Sequence, residues 1–139
     1  MIVGFYLCLF SLLIIALSFN VVKQRRIYRI AFGDGGYKPL IWARASHLNA
    51  LENIPIALLL LTLLEINHSP AWFIHVLALT LLVARLIHAK STLKGRCRGR
   101  AIGMQITYAI ILILVVANLI ILPYHSIFSP SGKALSKQV

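Results

Sequence analysis

The stretch 47–89, HLNALENIPIALLLLTLLEINHSPAWFIHVLALTLLVARLIHA, contains two long apolar runs separated by a short polar segment. The runs cover residues 47–64 and 71–89. As helices rising ~1.5 Å per residue, each is about 27 Å long or slightly more, close to the hydrocarbon thickness of a bilayer. The four residues NHSP at 67–70 are typical of a tight turn. The stretch therefore predicts an antiparallel pair of membrane-spanning helices.

Two further apolar runs flank this pair. Residues 1–22 and 101–122 contain no charged side chain, and each is long enough to cross a bilayer. We therefore predict an all-α membrane protein, a four-transmembrane-helix bundle. Residues 1–128 would form its single domain and 129–139 a flexible C-terminal tail.

The composition agrees with a membrane protein and excludes other classes. Of 139 residues, 60% are hydrophobic and only 12% are charged, about half the charged fraction of a soluble domain. The net charge of +11 would suit nucleic acid on an exposed basic domain, but such a domain is not predicted, so we expect no nucleic-acid partner. Membrane lipid is the expected partner, since basic loops attract anionic headgroups.

The basic residues are concentrated in two connections. Residues 23–44 contain six Lys and Arg and residues 90–100 contain five, whereas the opposite side has only Lys133 and Lys137. Because basic loops are retained in the cytoplasm, we predict that both connections are cytoplasmic and both termini lie outside, an N-out/C-out topology.

Two of the predicted spans contain an ionisable residue, Glu52 in one and Arg85 in the other. Each costs about 2.5–3.5 kcal/mol near the middle of a span, so such residues usually face a partner or a polar cavity. Asn49 lies three residues before Glu52, and His88 three residues after Arg85, so each pair shares a side of its helix. Both pairs are predicted near the cytoplasmic end, where Arg100 opens the fourth span.

These residues allow two interpretations. A cluster of cations with one carboxylate suits a small ligand that carries carboxylates and an ammonium group. Alternatively, Glu52 and Arg85 form a structural ion pair and Asn49 an interhelical hydrogen bond. The pattern alone does not decide between them.

Other reactive residue types offer weaker candidates. Cys97 lies between Arg96 and Arg98, the surroundings of many reactive thiols. On a predicted flexible loop with no base and no second cysteine, we expect it to have no catalytic role. His68 and His75 lack a carboxylate or cysteine companion, so no metal site is expected.

Three stretches in the same order resemble the MAPEG family, the membrane-associated proteins of eicosanoid and glutathione metabolism. They are HLNALENIP at 47–55, ARLIHA at 84–89 and RAIGM at 100–104. The stretch RIAFGDGG at 29–36 and the short length are most similar to small bacterial inner-membrane members. Localisation in a bacterial inner membrane is therefore expected.

The resemblance implies a homotrimer that binds glutathione between neighbouring subunits near the cytoplasmic face. By the family's pattern, Asn49 and Glu52 would hold the glutathione backbone, with Glu52 on its ammonium group. Arg85 and His88 would contribute from the adjoining helix. Arg100 would lie near the sulfur as the catalytic residue and stabilise the thiolate.

Two positions depart from the family's pattern. The family commonly has Arg two residues before the first-motif histidine, where this chain has Ala45, with Arg44 one step earlier as a substitute in cofactor binding. Catalytic members often have Tyr four residues after the third-helix histidine, where this chain has Thr92.

Three functions are compatible with the sequence. The first is a glutathione-dependent transferase or peroxidase that acts on lipophilic small molecules from the bilayer. The second is a non-enzymatic membrane protein that binds glutathione or anionic lipid, which the departure at Thr92 favours. The third, a small multidrug-type exporter, ranks last because the arginines around Glu52 would repel a lipophilic cation.

Overall fold

A computed structural model describes residues 1–121 and shows that they form four α-helices. These are α1 (Ile2–Tyr28), α2 (Lys38–Ile66), α3 (Ala71–Leu93) and α4 (Cys97–Ile121). Each helix is long and apolar enough to cross a membrane. The predicted all-α membrane fold is thereby confirmed. The predicted tail at 129–139 lies outside the described residues.

The helices extend beyond the apolar runs that predicted them. α1 continues past residue 22 to Tyr28, and α2 begins at Lys38, with a proline in its first turn, rather than at His47. An apolar run needs to be only as long as the hydrocarbon layer. Lys, Arg and Gln are good helix formers, so the helical hydrogen bonding continues beyond that run into the aqueous layer. The same effect starts α4 at Cys97, so Cys97 lies on a helix and not on the predicted flexible loop.

Contacts between helix ends show that successive helices run antiparallel. The ring of Trp42, near the start of α2, lies so close to Gly95 in the α3–α4 connection that a Cβ there would be 2.6 Å from it. At the other end of α2, the carboxylate of Glu65 accepts hydrogen bonds from the backbone N–H groups of Ile2 and Val3. The α1–α2 and α3–α4 connections therefore share one end of the bundle, which we call the basic end.

The α1–α2 connection contains a cluster of glycines whose backbone forms turns. Gly33, Gly35 and Gly36 all have positive φ. The Asp34 side chain accepts a hydrogen bond from the N–H of Gly36 (3.0 Å) and forms a salt bridge with Arg44 (3.1 Å). This carboxylate therefore fixes the turn to the first part of α2.

Glycines on α4 set its distance from α3. A Cβ at Gly103 would lie 2.7 Å from the carbonyl oxygen of Ala84 and 2.8 Å from the Cβ of His88. One turn earlier, a Cβ at Gly99 would clash with the hydroxyl of Ser91. This small-xxx-small pair lets two backbones approach closely, as in many membrane helix pairs, and brings α4 against the polar side chains of α3.

Candidate functional site

Arg85 is the largest fully buried side chain in the described part of the chain, with only 1% of its surface exposed. Its Nη2 donates a hydrogen bond to Oδ1 of Asn49 on α2 (2.8 Å), while its Nε and Nη1 have no hydrogen-bond partner within residues 1–121. A buried guanidinium with unused donors is costly unless something completes its hydrogen bonding. Arg85 is thus a buried charged group inside the bundle whose hydrogen bonding is incomplete within the described residues.

His88 lies one turn beyond Arg85 on α3 and is 3% exposed. Its Nδ1 is, like Nε and Nη1 of Arg85, a buried polar atom without a partner among the described residues. The close approach of Gly103 holds the His88 backbone against α4. The carbonyl oxygen of His88 accepts a hydrogen bond from the Thr92 hydroxyl (2.8 Å). The imidazole is therefore positioned by packing, with a free ring nitrogen.

Three adjoining cavities lie at the basic end, and Arg100 lines all of them. Their volumes are about 390, 150 and 90 Å³. The largest is lined by Asn49, His88, Cys97, Arg100, Ala101 and Met104. Within residues 1–121, no Asp or Glu lines any of the three, whereas the smallest adds a second guanidinium, that of Arg96. Together they form a site with positive charge and no carboxylate, which we call the Arg100 site.

The predicted site residues divide into two groups. Asn49, His88 and Arg100 meet at the Arg100 site, although they come from three different helices. Arg85 does not line the cavities. It lies behind Asn49 and fixes the Asn49 amide through its hydrogen bond. Arg85 therefore positions Asn49 and does not itself line the site.

Glu52 lies elsewhere. Its side chain is exposed on the surface of the single subunit, and within residues 1–121 it forms no ion pair with Arg85. Within the described subunit the ion-pair part of the structural interpretation was wrong, because the partner of Arg85 is Asn49. Its other part, an interhelical hydrogen bond of Asn49, is confirmed. Three residues turn an α-helix by about 300°, which leaves Glu52 about 60° away from Asn49. That offset is enough to point Asn49 at α3 and α4 and Glu52 outward.

Arg44 is directed to the α1–α2 connection. It forms the salt bridge with Asp34 described above, and it is not among the residues that line the Arg100 site. Ala45, which stands where the family pattern has the arginine, does line the 150 Å³ cavity. The direction of Arg44 around the helix, about 100° from that of Ala45, accounts for the difference.

Three lining residues were not placed at the site by sequence reasoning: Met104, Trp42 and Cys97, the last of which was considered only as a thiol on a loop. Met104 accepts a weak hydrogen bond from Nδ2 of Asn49 at 3.5 Å. Trp42 forms a wall next to Gly95 and Arg96. Cys97 lines two of the cavities. The available signal was the spacing Gly99-x-x-x-Gly103, which predicts a close helix pair and hence places the start of α4 against α3.

Comparison with known proteins identifies the family of this chain. The model of the MAPEG family matches residues 3–120, nearly the whole described chain. The chain belongs to the MAPEG family. Its relatives include the inner membrane protein YecN of Escherichia coli K12, 39% identical over 129 residues that cover 93% of this chain and 98% of YecN. YecN of Escherichia coli O6:H1 matches equally well. The chain is an integral membrane protein with an inner-membrane homologue.

Both positions that depart from the usual MAPEG pattern lie in the site. Ala45 and Thr92 line the same 150 Å³ cavity. Ala45 contributes no polar group there. The Thr92 hydroxyl donates within its own helix, to the carbonyl oxygen of His88. At these two positions the site has the alanine and the threonine of this chain where the family pattern leads us to expect an arginine and a tyrosine.

Proposed function

We propose that this protein binds glutathione at the Arg100 site and activates its thiol for reaction with lipophilic electrophiles or hydroperoxides from the bilayer. The observation that carries the proposal is that Arg100 lines all three cavities of the Arg100 site and that no acidic residue of the described chain lines any of these three. Such a site favours a small anion. Glutathione has two carboxylates, one ammonium group and a thiol.

The residues at the site suit the carboxylates of glutathione. Arg96 and Arg100 offer guanidinium groups, which bind carboxylates with paired donors. Asn49 offers an amide held in place by Arg85. His88 has a free ring nitrogen. These groups would satisfy a ligand whose oxygens need several donors at once.

Arg100 is the proposed catalytic residue. A thiol attacks electrophiles as its thiolate, and a neighbouring guanidinium lowers the free energy of that anion. No side-chain base is needed if the proton leaves to solvent when glutathione binds. Arg100 is exposed in the isolated subunit, so its effect on the thiolate increases when a neighbouring subunit excludes water from it.

The position of Glu52 supports a site shared between subunits. This carboxylate lies on the outer surface of a membrane-spanning helix, where contact with lipid is costly. A second copy of the chain that covers Glu52 removes that cost and could bring the carboxylate to the ammonium group of glutathione. We therefore propose a homotrimer, the assembly that the family resemblance implies, with the basic end in the cytoplasm.

The test is equilibrium binding of glutathione to the detergent-purified protein, followed by the ultraviolet absorbance of the bound thiolate. We expect a thiolate signal in the wild type and its loss in Arg100→Ala. Arg29→Ala, which removes an exposed arginine from the end of α1, is the matched control and should keep the signal. Equal signals in wild type and Arg100→Ala would exclude the proposed role of Arg100.

A non-enzymatic function is the second candidate. The observation that favours it is the loss of two polar groups at Ala45 and Thr92, which leaves fewer groups to orient glutathione. Binding of glutathione without turnover across a panel of aryl halides, epoxides and lipid hydroperoxides would select it. Competition by anionic lipid vesicles would then distinguish a headgroup site from a glutathione site.

A further inference from the structure

A cysteine thiol is part of the proposed glutathione site. Cys97 is the first residue of α4, its side chain is exposed and free, and it lines both the 390 and the 90 Å³ cavity. Arg100 lies three residues later on the same helix, so the two side chains share one face. Arg96 lines the smaller cavity beside Cys97. An anionic thiol compound bound between these arginines would have its sulfur near a second thiol.

An independent feature of the same cavity supports the binding of a polar ligand there. His88 lines the 390 Å³ cavity together with Cys97, is 97% buried and has an Nδ1 atom without a partner within residues 1–121. A buried polar atom of this kind normally has a hydrogen-bond partner. The thiol of Cys97 therefore lines the same cavity as a buried imidazole whose Nδ1 has no partner among the described residues.

We propose that Cys97 forms a mixed disulfide with glutathione during reduction of a hydroperoxide. This inference rests on the proposed function and assigns the peroxidase reaction to the site. Cys8, the other cysteine, is also exposed but lies within α1 and lines none of the three cavities. It is the natural internal control.

The reaction balances in three steps. The thiolate of bound glutathione attacks an oxygen of the hydroperoxide, the O–O bond breaks, and an alcohol leaves after it takes up a proton; glutathione is oxidised to its sulfenic acid. The Cys97 thiolate attacks that sulfur, an S–S bond forms, the S–O bond breaks, and the departing hydroxide takes up a proton from solvent and leaves as water. A second glutathione thiolate then attacks the glutathione sulfur of the mixed disulfide and releases glutathione disulfide and the Cys97 thiolate.

Mapping of trapped disulfides tests this proposal. The purified wild-type protein is mixed with glutathione and one equivalent of cumene hydroperoxide, quenched with acid and digested, and the peptides are identified by mass spectrometry. We expect a glutathione adduct on the Cys97 peptide and none on the Cys8 peptide. Cys8→Ser should keep the adduct and the rate of peroxide reduction. Cys97→Ser should lose the adduct and more of the peroxidase rate than of the rate of conjugation to 1-chloro-2,4-dinitrobenzene.

The outcomes separate this inference from the proposed function. A bound-thiolate signal without an adduct on Cys97, or equal losses of the peroxidase and conjugation rates in Cys97→Ser, would overturn the role of Cys97 and leave glutathione binding intact. A missing thiolate signal in the wild type would overturn both. Equal adducts on Cys97 and Cys8 would show unselective oxidation and also contradict the proposal.

Discussion

At the scale of single residues, the buried guanidinium of Arg85 depends on one amide oxygen. Within residues 1–121, its side chain forms one hydrogen bond, to Asn49, and its Nε and Nη1 have no partner. Removal of one partner of a buried charged group leaves the other group desolvated and unpaired. Asn49 is therefore a structural residue as well as a ligand candidate.

We expect Asn49→Ala to lower the free energy of unfolding by about 1–3 kcal/mol because Arg85 would lose its partner. SDS titration in mixed detergent micelles measures this change. Asn20→Ala, a half-buried asparagine on α1, is the control and should have a smaller effect. In an Arg85→Met background, Asn49→Ala should cost much less. Equal costs in the two backgrounds would contradict the coupling of Asn49 to Arg85.

At the scale of helices, the approach of α4 to α3 decides whether the site exists. Gly103 packs against the backbone of α3 at Ala84 and His88. Arg100 and Met104, its neighbours on α4, reach the cavities from this close position. A side chain at residue 103 would move the two helices apart and displace Arg100 from His88.

Gly103→Ala should therefore destabilise the protein by about 1–3 kcal/mol through overpacking, and it should weaken glutathione binding. Gly4→Ala is the matched control, since its Cβ would meet only the Met1 Cβ at 3.8 Å. Alanine favours a helix over glycine by up to ~1 kcal/mol, so Gly4→Ala should be neutral or stabilising. Unfolding in SDS and the thiolate absorbance give both results. A Gly103→Ala protein as stable as Gly4→Ala would refute the packing argument.

At the scale of the whole molecule, the two carboxylates of α2 have different surroundings. Glu65 accepts backbone hydrogen bonds from the start of α1 in its own chain, where a carboxylate suits the positive end of the helix dipole. Glu52 is exposed on the surface of α2, a helix long and apolar enough to cross a membrane. A single subunit in lipid would therefore have one satisfied and one unsatisfied carboxylate.

Native mass spectrometry in detergent should detect three copies of the wild-type chain. Glu52→Lys should shift the population towards single copies, because it adds a cation where a neighbour presents its cationic site. Glu65→Lys changes the charge equally but alters a contact within one chain, so the three-copy species should persist with lower stability. A wild-type monomer that still binds glutathione, or an unchanged Glu52→Lys assembly, would exclude the shared site.

The sequence predicted how far along each helix a polar residue lies better than it predicted which side of the helix that residue faces. The charges and polar residues at 49, 88 and 100 were predicted at one depth, and they do meet. Glu52 was predicted with them but points outward. A spacing of three residues leaves an angle of about 60°, and which side of that angle faces the neighbours depends on packing.

The sequence by itself determined that this chain is a membrane protein with four spans. Transfer of a helix into hydrocarbon depends mainly on the summed composition of about 20 consecutive residues, so each span is determined locally. Only the tertiary structure decided which polar groups share a site. The rotation of each helix follows from contacts between distant residues, such as Gly103 against Ala84 and the Asn118 amide on the carbonyl oxygen of Leu60 (3.0 Å). These contacts depend on the shapes of both partners, which no local window of sequence contains.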